Sequence, residues 1–250
     1  MSHHIIEVDD LHYTYPDGNQ VLKGISFRVT HGEKVALVGA NGAGKSTLLL
    51  QFNGCLLPEA GRVRIGDMPV TKKTLKHVRR TVGLIFQDPD DQLFMPLVYD
   101  DVAFGPLNLG LSPEEVDRQV MQALAAVGAV HLKDRPPYHL AGGEKRAVAI
   151  AAVLSLAPAI LVMDEPSSNL DPKTRRQLIE LLKTFEHSLI IATHDLDLVL
   201  DLCPRTIVLQ EGRIAADGPT GEIMADEALL AACNLEKPLR LQGCPVCRQD

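Results

Sequence analysis

The segment Lys34-Val-Ala-Leu-Val-Gly-Ala-Asn-Gly-Ala-Gly-Lys-Ser-Thr47 decides the fold of this chain. Its apolar start predicts a buried strand, and the apolar residues after Ser46 predict a helix, so a glycine-rich loop joins a strand to a helix. In that context Gly39, Gly42 and Gly44 let backbone N–H groups turn inward around phosphate oxygens, at the positive end of the helix. The pattern therefore predicts a nucleotide phosphate site.

Two side chains of this phosphate loop, residues 39–47, have predicted roles. Lys45 would bridge the β- and γ-phosphates of a nucleotide, and Ser46 would bind Mg²⁺. The predicted nucleotide-binding residues of the loop are Gly39, Ala40, Asn41, Gly42, Ala43, Gly44, Lys45, Ser46 and Thr47. The loop alone does not distinguish kinases, GTPases and ATPases, so that choice depends on the rest of the chain.

Outward from the loop, short β-rich runs alternate with helical patterns through most of the sequence. Strands separated by helices predict an α/β fold with a mostly parallel sheet covered on both faces. The predicted strands are residues 25–29, 34–38, 81–86, 160–163, 189–193 and 206–209. A buried helix is predicted over residues 144–156, before the strand at 160–163.

A proline-rich stretch between residues 87 and 140 interrupts the alternation. Its one clear helix is predicted to run from an N-cap at Ser112 to about Val127, with Pro113 in the first turn and acidic residues near the positive end of the dipole. We interpret residues 87–150 as a helical lobe inserted into the core. Residues 1–225 are predicted to form one domain, and residues 226–250 a C-terminal extension.

Carboxylates follow one predicted strand, and a histidine follows another. The run 160–163 ends in Asp164 and Glu165, at the edge of the sheet where ligands bind in open α/β folds. We expect Asp164 to hold Mg²⁺ through its water shell and Glu165 to polarise the attacking water as a general base. His194, which ends the run 189–193, is a candidate sensor of the γ-phosphate.

Composition limits the classes of function. The net charge of −7 over 250 residues disfavours a non-specific hold on nucleic acid, so no nucleic-acid partner is predicted. Five cysteines, three of them scattered singly, favour a reducing cytoplasm, and the N-terminus does not show the pattern of an export signal. Pro158 divides the most apolar run, 147–163, so we expect the chain to serve any membrane from the water side.

The segment Leu140-Ala-Gly-Gly-Glu-Lys-Arg146 lies about 20 residues before Asp164 and opens a helix. With the phosphate loop, Gln87, Asp164-Glu165, the run 167–171 and His194 in this order, the chain resembles the ATP-binding cassette (ABC) family of ATPases over residues 5–225. The resemblance implies a P-loop NTPase core with an N-terminal antiparallel β subdomain. It also implies ATP and Mg²⁺ as ligands and a head-to-tail dimer, expected to be a homodimer, in which each ATP meets the partner's signature segment, here residues 140–145.

The resemblance also implies roles for individual residues that match positions in the family's motifs. Tyr15 matches an aromatic that stacks on adenine, although Tyr13 is a close neighbour. Gln87 matches a residue that touches Mg²⁺ and the attacking water, and Asp171 one that communicates across the dimer. The matching signature residues are Ala141, Gly142, Gly143 and Glu144. The family pattern has serine in place of Ala141 and often glutamine in place of Glu144, so we expect a dimer that closes weakly.

The run 88–106 resembles the ATPases of energy-coupling-factor importers, particularly those for cobalt and nickel. There it would shape a groove near Gln87–Pro106 that receives a membrane subunit, with an apolar lining expected from Leu93, Phe94, Met95, Val98 and Phe104. We therefore predict an importer ATPase bound peripherally to the cytoplasmic face of the membrane. A vitamin importer is the alternative, and a soluble ABC ATPase acting on DNA or ribosomes is less favoured.

The C-terminus carries Cys244-Pro-Val-Cys247, which has the spacing of half a zinc site without a second pair of ligands. We expect an exposed tail there in preference to a metal-binding or redox role.

Overall fold

The computed structural model describes residues 4–242 and shows a mixed α/β architecture, as the sequence predicts. Cys244 and Cys247 lie outside the described residues. The strands are β1 (His4–Thr14), β2 (Gln20–Thr30), β3 (Lys34–Val38), β4 (Ala60–Ile65), β5 (Met68–Pro69), β6 (Val82–Ile85), β7 (Ile160–Asp164), β8 (Ser188–Ala192), β9 (Arg205–Gln210) and β10 (Arg213–Pro219).

The α-helices complete the description of the elements. They are α1 (Lys45–Phe52), α2 (Leu75–Thr81), α3 (Val98–Asn108), α4 (Pro113–Ala126), α5 (Gly142–Leu154), α6 (Pro172–Thr184), α7 (Leu196–Leu202), α8 (Thr220–Ala225) and α9 (Glu227–Ala232). Short 3-10 turns lie between several of them.

The main sheet has the strand order β10-β9-β3-β8-β7-β6 within the described residues. Its strands pair in parallel except for β10, which pairs with β9 antiparallel. The central strands β3, β7 and β8 are almost wholly buried because helices cover both faces, which is why they read as continuous apolar runs. Their carboxyl ends meet at one edge, where the phosphate loop, Asp164 and His194 follow.

A second sheet, with the order β2-β1-β4-β5, is antiparallel. The predicted run 25–29 belongs to β2 of this sheet and not to the parallel sheet with which the alternation pattern grouped it. The burial of β2 varies along the strand because one face packs on the core and the other meets solvent, as is typical of antiparallel sheets. This sheet is the antiparallel subdomain that the family resemblance implies.

The helical lobe contains α3, α4 and part of α5 around an apolar core of its own. The predicted helix is confirmed as α4: the Ser112 hydroxyl accepts from Glu115 N, and the Glu115 carboxylate accepts from Ser112 N. Helix α3 was not predicted from the sequence because Pro106 lies inside it. Pro106 has no N–H for the Val102 carbonyl, and the Ser155 hydroxyl donates to that carbonyl at 2.8 Å instead.

Helix α5 begins two residues before the predicted start, because Gly142 and Gly143 form its first turn instead of a preceding loop. Beyond α8, which ends at the predicted boundary of the extension, α9 returns to the core, and Cys233 is buried there. No helix within residues 4–242 is long and apolar enough to cross a membrane.

Candidate active site

A cavity of about 630 Å³ opens at the carboxyl edge of the main sheet. It brings together most of the predicted site: residues 39–42 and 44–47 of the phosphate loop, with Gln87, Asp164, Glu165 and His194. Ala43, the remaining residue of the phosphate loop, is buried and does not line the cavity. Asn19, Val21, Asn234 and Leu235 also line the cavity. These four residues belong to no motif, so the sequence gives no signal of their place in the cavity.

Lys45 is held by the phosphate loop itself. Its ammonium donates to the carbonyl oxygens of Gly39 at 2.7 Å and Ala40 at 3.2 Å, and the residue is only 7% exposed. Burial lowers the pKa of Lys45, and the charges of Glu165 and Asp164 oppose that shift. The ammonium therefore lies at the start of the loop, where anionic oxygens could replace the two carbonyls as its hydrogen-bond acceptors.

Glu165 is fixed in one place by three donors. Its Oε2 accepts from the Thr193 hydroxyl at 2.9 Å and from His194 N at 3.2 Å, and it lies 2.8 Å from Nδ1 of His194. The residue has a left-handed backbone with φ of 45°, so the chain turns sharply where β7 ends. His194 is largely exposed at the mouth of the cavity, whereas Glu165 is buried, so the imidazole ring lies between the carboxylate and solvent.

Asp164 lies beside the loop with an oxygen that lacks a partner. Its Oδ1 is buried, and no hydrogen bond from the described residues reaches it. Burial and the neighbouring Glu165 charge raise the pKa of Asp164, while the Ser46 hydroxyl bonds the carboxylate and lowers it. A buried free carboxylate oxygen next to a hydroxyl is a donor set that suits Mg²⁺. Among the described residues, no cluster of three or more His, Cys, Asp or Glu side chains could hold a metal.

Tyr15 contacts the phosphate loop from the antiparallel sheet. Its hydroxyl lies 3.1 Å from Oγ1 of Thr47, and its ring packs edge-on against Tyr13 at 5.1 Å between centroids. The contact places an aromatic side chain beside the phosphate loop. Stacking of Tyr15 on adenine stays a prediction.

The signature segment lies away from the phosphate cavity of its own chain. Leu140, Gly142 and Lys145 line a separate cavity of about 510 Å³. Ala141 is the N-cap of α5 without a side-chain acceptor, and the Glu144 carboxylate accepts from Ala141 N at 2.9 Å. A Cβ added at Gly142 would meet nothing within 4 Å, so contacts within the described chain do not require glycine there.

Two cations that follow the signature glycines tie α5 to the Gln87 segment. Arg146 is buried and donates to the carbonyls of Phe86 and Gln87. Lys145 forms an ion pair with Asp90, with Nζ at 2.6 Å from Oδ1. Since Gln87 lines both cavities, it joins the phosphate site to the signature surface. Lys145 and Arg146 belong to the segment 140–146 that the sequence singled out, but the sequence did not reveal which residues they contact.

The loop after Glu165 is anchored at two points. Asp171 caps α6, accepting from the backbone N–H groups of Lys173 at 2.9 Å and Thr174 at 3.1 Å. Asp195 accepts two hydrogen bonds from Arg175, at 2.7 and 2.9 Å, and one from the Ser167 hydroxyl at 3.1 Å. Arg175 and Asp195 therefore hold this loop against the His194 turn, a contact between distant segments that the sequence did not reveal.

Comparison with known proteins gives a consistent result. Residues 22–168 match the sequence model of the family described as ABC transporter. The putative ABC transporter ATP-binding protein GSU1281 of Geobacter sulfurreducens is 66% identical over 247 residues, which cover 99% of each chain. The energy-coupling factor transporter ATP-binding protein EcfA of Methanocaldococcus jannaschii is 48% identical over 240 residues, covering 94% of this chain and 86% of that relative.

A solved structure shares the fold over nearly the whole chain. The structure of cbiO1 from Clostridium perfringens, described as part of the ABC transporter complex cbiONQ, has a TM-score of 0.81 and 40% identity. The match covers 93% of this chain and 95% of cbiO1.

The electrostatics of the site predict that Asp164→Asn raises the unfolding temperature of the nucleotide-free protein at pH 7 to 8. Burial and the Glu165 charge raise the pKa of Asp164, so the charged form destabilises the folded state, and the amide lacks that charge. In the parent this destabilisation is present above the raised pKa and is lost as the pH falls through it. The increase in unfolding temperature should therefore become smaller towards acid pH, as measured by thermal unfolding followed by circular dichroism.

Asp195→Asn is the matched control. Although burial opposes it, the bonds from Arg175 and Leu198 N lower the pKa of Asp195, so its charge stabilises the folded state. This substitution should lower the unfolding temperature at neutral pH. An unfolding temperature for Asp164→Asn at or below the parent's at pH 8 would contradict the assignment.

Proposed function

The chain belongs to the ABC transporter family, and from this premise we propose that it is an ATPase subunit that pairs with a second copy and drives uptake through separate membrane subunits. The observation that carries the proposal is the position of Glu165, fixed between Thr193 and His194 in the cavity that the phosphate loop lines. A carboxylate held there can activate water next to a bound phosphate.

In the proposed site the phosphate loop binds ATP through its backbone N–H groups. The ammonium of Lys45 exchanges the carbonyls of Gly39 and Ala40 for oxygens of the β- and γ-phosphates. Mg²⁺, held by Ser46, Gln87 and Asp164, would supply positive charge against the developing negative charge of the reaction. The partnerless oxygen of Asp164 supports this placement.

Hydrolysis is assigned to Glu165 with two assisting side chains. Glu165 accepts a proton from the attacking water as general base, because its Oε2 is already oriented by donors and needs little rearrangement. His194, on the solvent side, contacts the γ-phosphate, and Gln87 helps to orient the water. Tyr15 stacks on the adenine from its place beside Thr47.

A dimer is proposed because the signature segment does not line the phosphate cavity of its own chain. A partner in head-to-tail orientation would bring its exposed Ala141 and Gly142 to the γ-phosphate, at the positive end of α5. The open space beside Gly142 leaves room for that approach, and the Glu144 carboxylate stays on the helix cap. Asp171 would act across this interface from the start of α6.

The groove for a membrane subunit is proposed on the helical lobe. Phe94 and Phe104 are 65% and 44% exposed, and their rings meet edge-on at 5.0 Å between centroids. Leu107, also exposed, extends this apolar surface by one turn of α3. Of the predicted lining, Leu93 and Val98 are instead buried in the core of the lobe and are not available to a partner.

We propose the cytoplasmic face of a membrane as the location and cobalt or nickel ions as the transported substrate. The substrate proposal rests on the resemblance of residues 88–106 and on the likeness to an energy-coupling factor ATPase and to cbiO1. Selectivity would reside in other subunits, because the cavity of this chain is built for phosphate. A vitamin is the competing substrate, which an uptake assay distinguishes directly.

Co-expression with candidate membrane subunits is expected to give ATP-dependent uptake of labelled Co²⁺ or Ni²⁺ in cells. Phe94→Ser should reduce uptake severalfold while ATP binding by the isolated subunit is unchanged, since it removes an exposed anchor from the groove. Leu239→Ser, which changes an even more exposed apolar side chain elsewhere on the surface, is the control. Uptake of a vitamin alone would select the alternative substrate, and uptake of none would refute the importer assignment.

Glu165→Gln is expected to keep ATP binding, reduce hydrolysis by at least about a hundredfold, and trap a dimer with ATP. The amide retains the shape of the side chain but cannot accept the proton from water. Phosphate release measures hydrolysis, and gel filtration with Mg²⁺ and ATP measures formation of the dimer. Turnover equal to the parent's would remove Glu165 from its role, and Lys45→Ala, which should lose ATP binding, is the comparison.

Ala141→Ser is expected to strengthen ATP-driven pairing. A hydroxyl at the N-cap of α5 adds a donor beside the two glycines, and a hydrogen bond to a charged phosphate contributes about 1.5 to 3 kcal/mol. The dimer dissociation constant with ATP in the Glu165→Gln background measures the change. No change in that constant would show that the backbone donors of the segment suffice.

A further inference from the structure

The C-terminal extension returns to the phosphate cavity, where Asn234 and Leu235 form part of the wall. We propose that Asn234 is a nucleotide-binding residue whose side-chain amide donates a hydrogen bond to the terminal phosphate of ATP, an inference that rests on the proposed function. It lies far beyond the region that matches the family model, which ends at residue 168.

The position of Asn234 is fixed from the main sheet. Gln210, the last residue of β9, donates from Nε2 to the Ala232 carbonyl at 2.7 Å, and its Oε1 lies 3.6 Å from Sγ of Cys233. Cys233 is buried, and Leu235 N donates to the Leu230 carbonyl at 2.8 Å. The residues on both sides of Asn234 are thus anchored, which fixes the position of its backbone, and the residue itself is exposed in the wall of the cavity.

That place adjoins the start of the phosphate loop. Strand β9 pairs with β3, and a Cβ added at Gly39 would come within 2.3 Å of the Leu209 carbonyl, so the end of β9 abuts the first residue of the loop. The ammonium of Lys45, which is expected to reach the β- and γ-phosphates, bonds the carbonyls of this same part of the loop. Because the end of β9 abuts Gly39, we infer that Asn234 faces the γ-phosphate and not the adenine.

The residue type suits the task. Asn234 has a left-handed backbone with φ of 54°, which asparagine adopts more readily than most residues. Its amide carries two donors and no charge, so it can bond a phosphate oxygen without adding to the negative charge of Asp164 and Glu165, which line the same cavity. An aspartate at this position would have the same shape but would repel the phosphate.

Nucleotide binding by Asn234→Gly and Asn234→Asp tests the proposal. Glycine removes the amide and keeps the left-handed backbone, whereas aspartate keeps the shape and adds a charge. Both are made in the Glu165→Gln background, so that ATP is not consumed. Affinities for Mg-ATP and Mg-ADP are measured by titration calorimetry at protein concentrations where gel filtration shows a monomer, and unfolding temperatures confirm folding.

We expect Asn234→Gly to weaken ATP binding about tenfold and to leave ADP binding unchanged, and Asn234→Asp to weaken ATP binding further. Gln242→Ala, which removes an amide from the same segment outside the cavity, should bind both nucleotides like the parent. Unchanged ATP affinity in Asn234→Gly, or equal losses for ATP and ADP, would overturn the inference. If the parent itself bound no ATP, the proposed function would fail. If the Asn234 variants bound ATP normally while Lys45→Ala lost ATP binding, only the inference about Asn234 would fail.

Discussion

The parallel pairing of β3, β8 and β7 is the constraint on which the site depends. Because these strands run side by side in one direction, their carboxyl ends deliver the phosphate loop, His194 and Asp164 to one edge. The hydrogen bond from Glu165 N to the Ala192 carbonyl extends this alignment by one residue beyond β7. A shift of one residue between β7 and β8 would move Glu165 away from Thr193, and a shift between β3 and β8 would move both residues relative to the phosphate loop.

The same edge gathers charges that are unfavourable in the absence of ligand. Lys45 and Asp164 are both removed from water, and Asp164 has an oxygen without a partner in the described chain. Buried charges of this kind destabilise a fold unless they are paired. Nucleotide and its cation would supply the missing partners, so binding energy and local stability are coupled at this edge.

The site is also divided between surfaces. The signature segment faces away from the phosphate cavity of its chain, and Gln87 is common to both surfaces. Arg146 bonds the carbonyls of Phe86 and Gln87, so the first turn of α5 is joined to the same strand end. Contacts through Gln87 and Arg146 therefore link the ATP site to the proposed partner surface. Phe94, which precedes α3, and Phe104, which lies on α3, are both exposed to solvent.

The sequence by itself determined the phosphate loop, the carboxylates and the α/β class, because each depends on neighbouring residues and on the apolar strands that precede them. Only the tertiary structure assigned the run 25–29 to the antiparallel sheet and revealed α3, whose Pro106 is tolerated because Ser155 bonds the free carbonyl. It likewise placed Asn234 in the cavity. These features arise where distant segments approach each other, and no local spacing or residue pattern records such an approach.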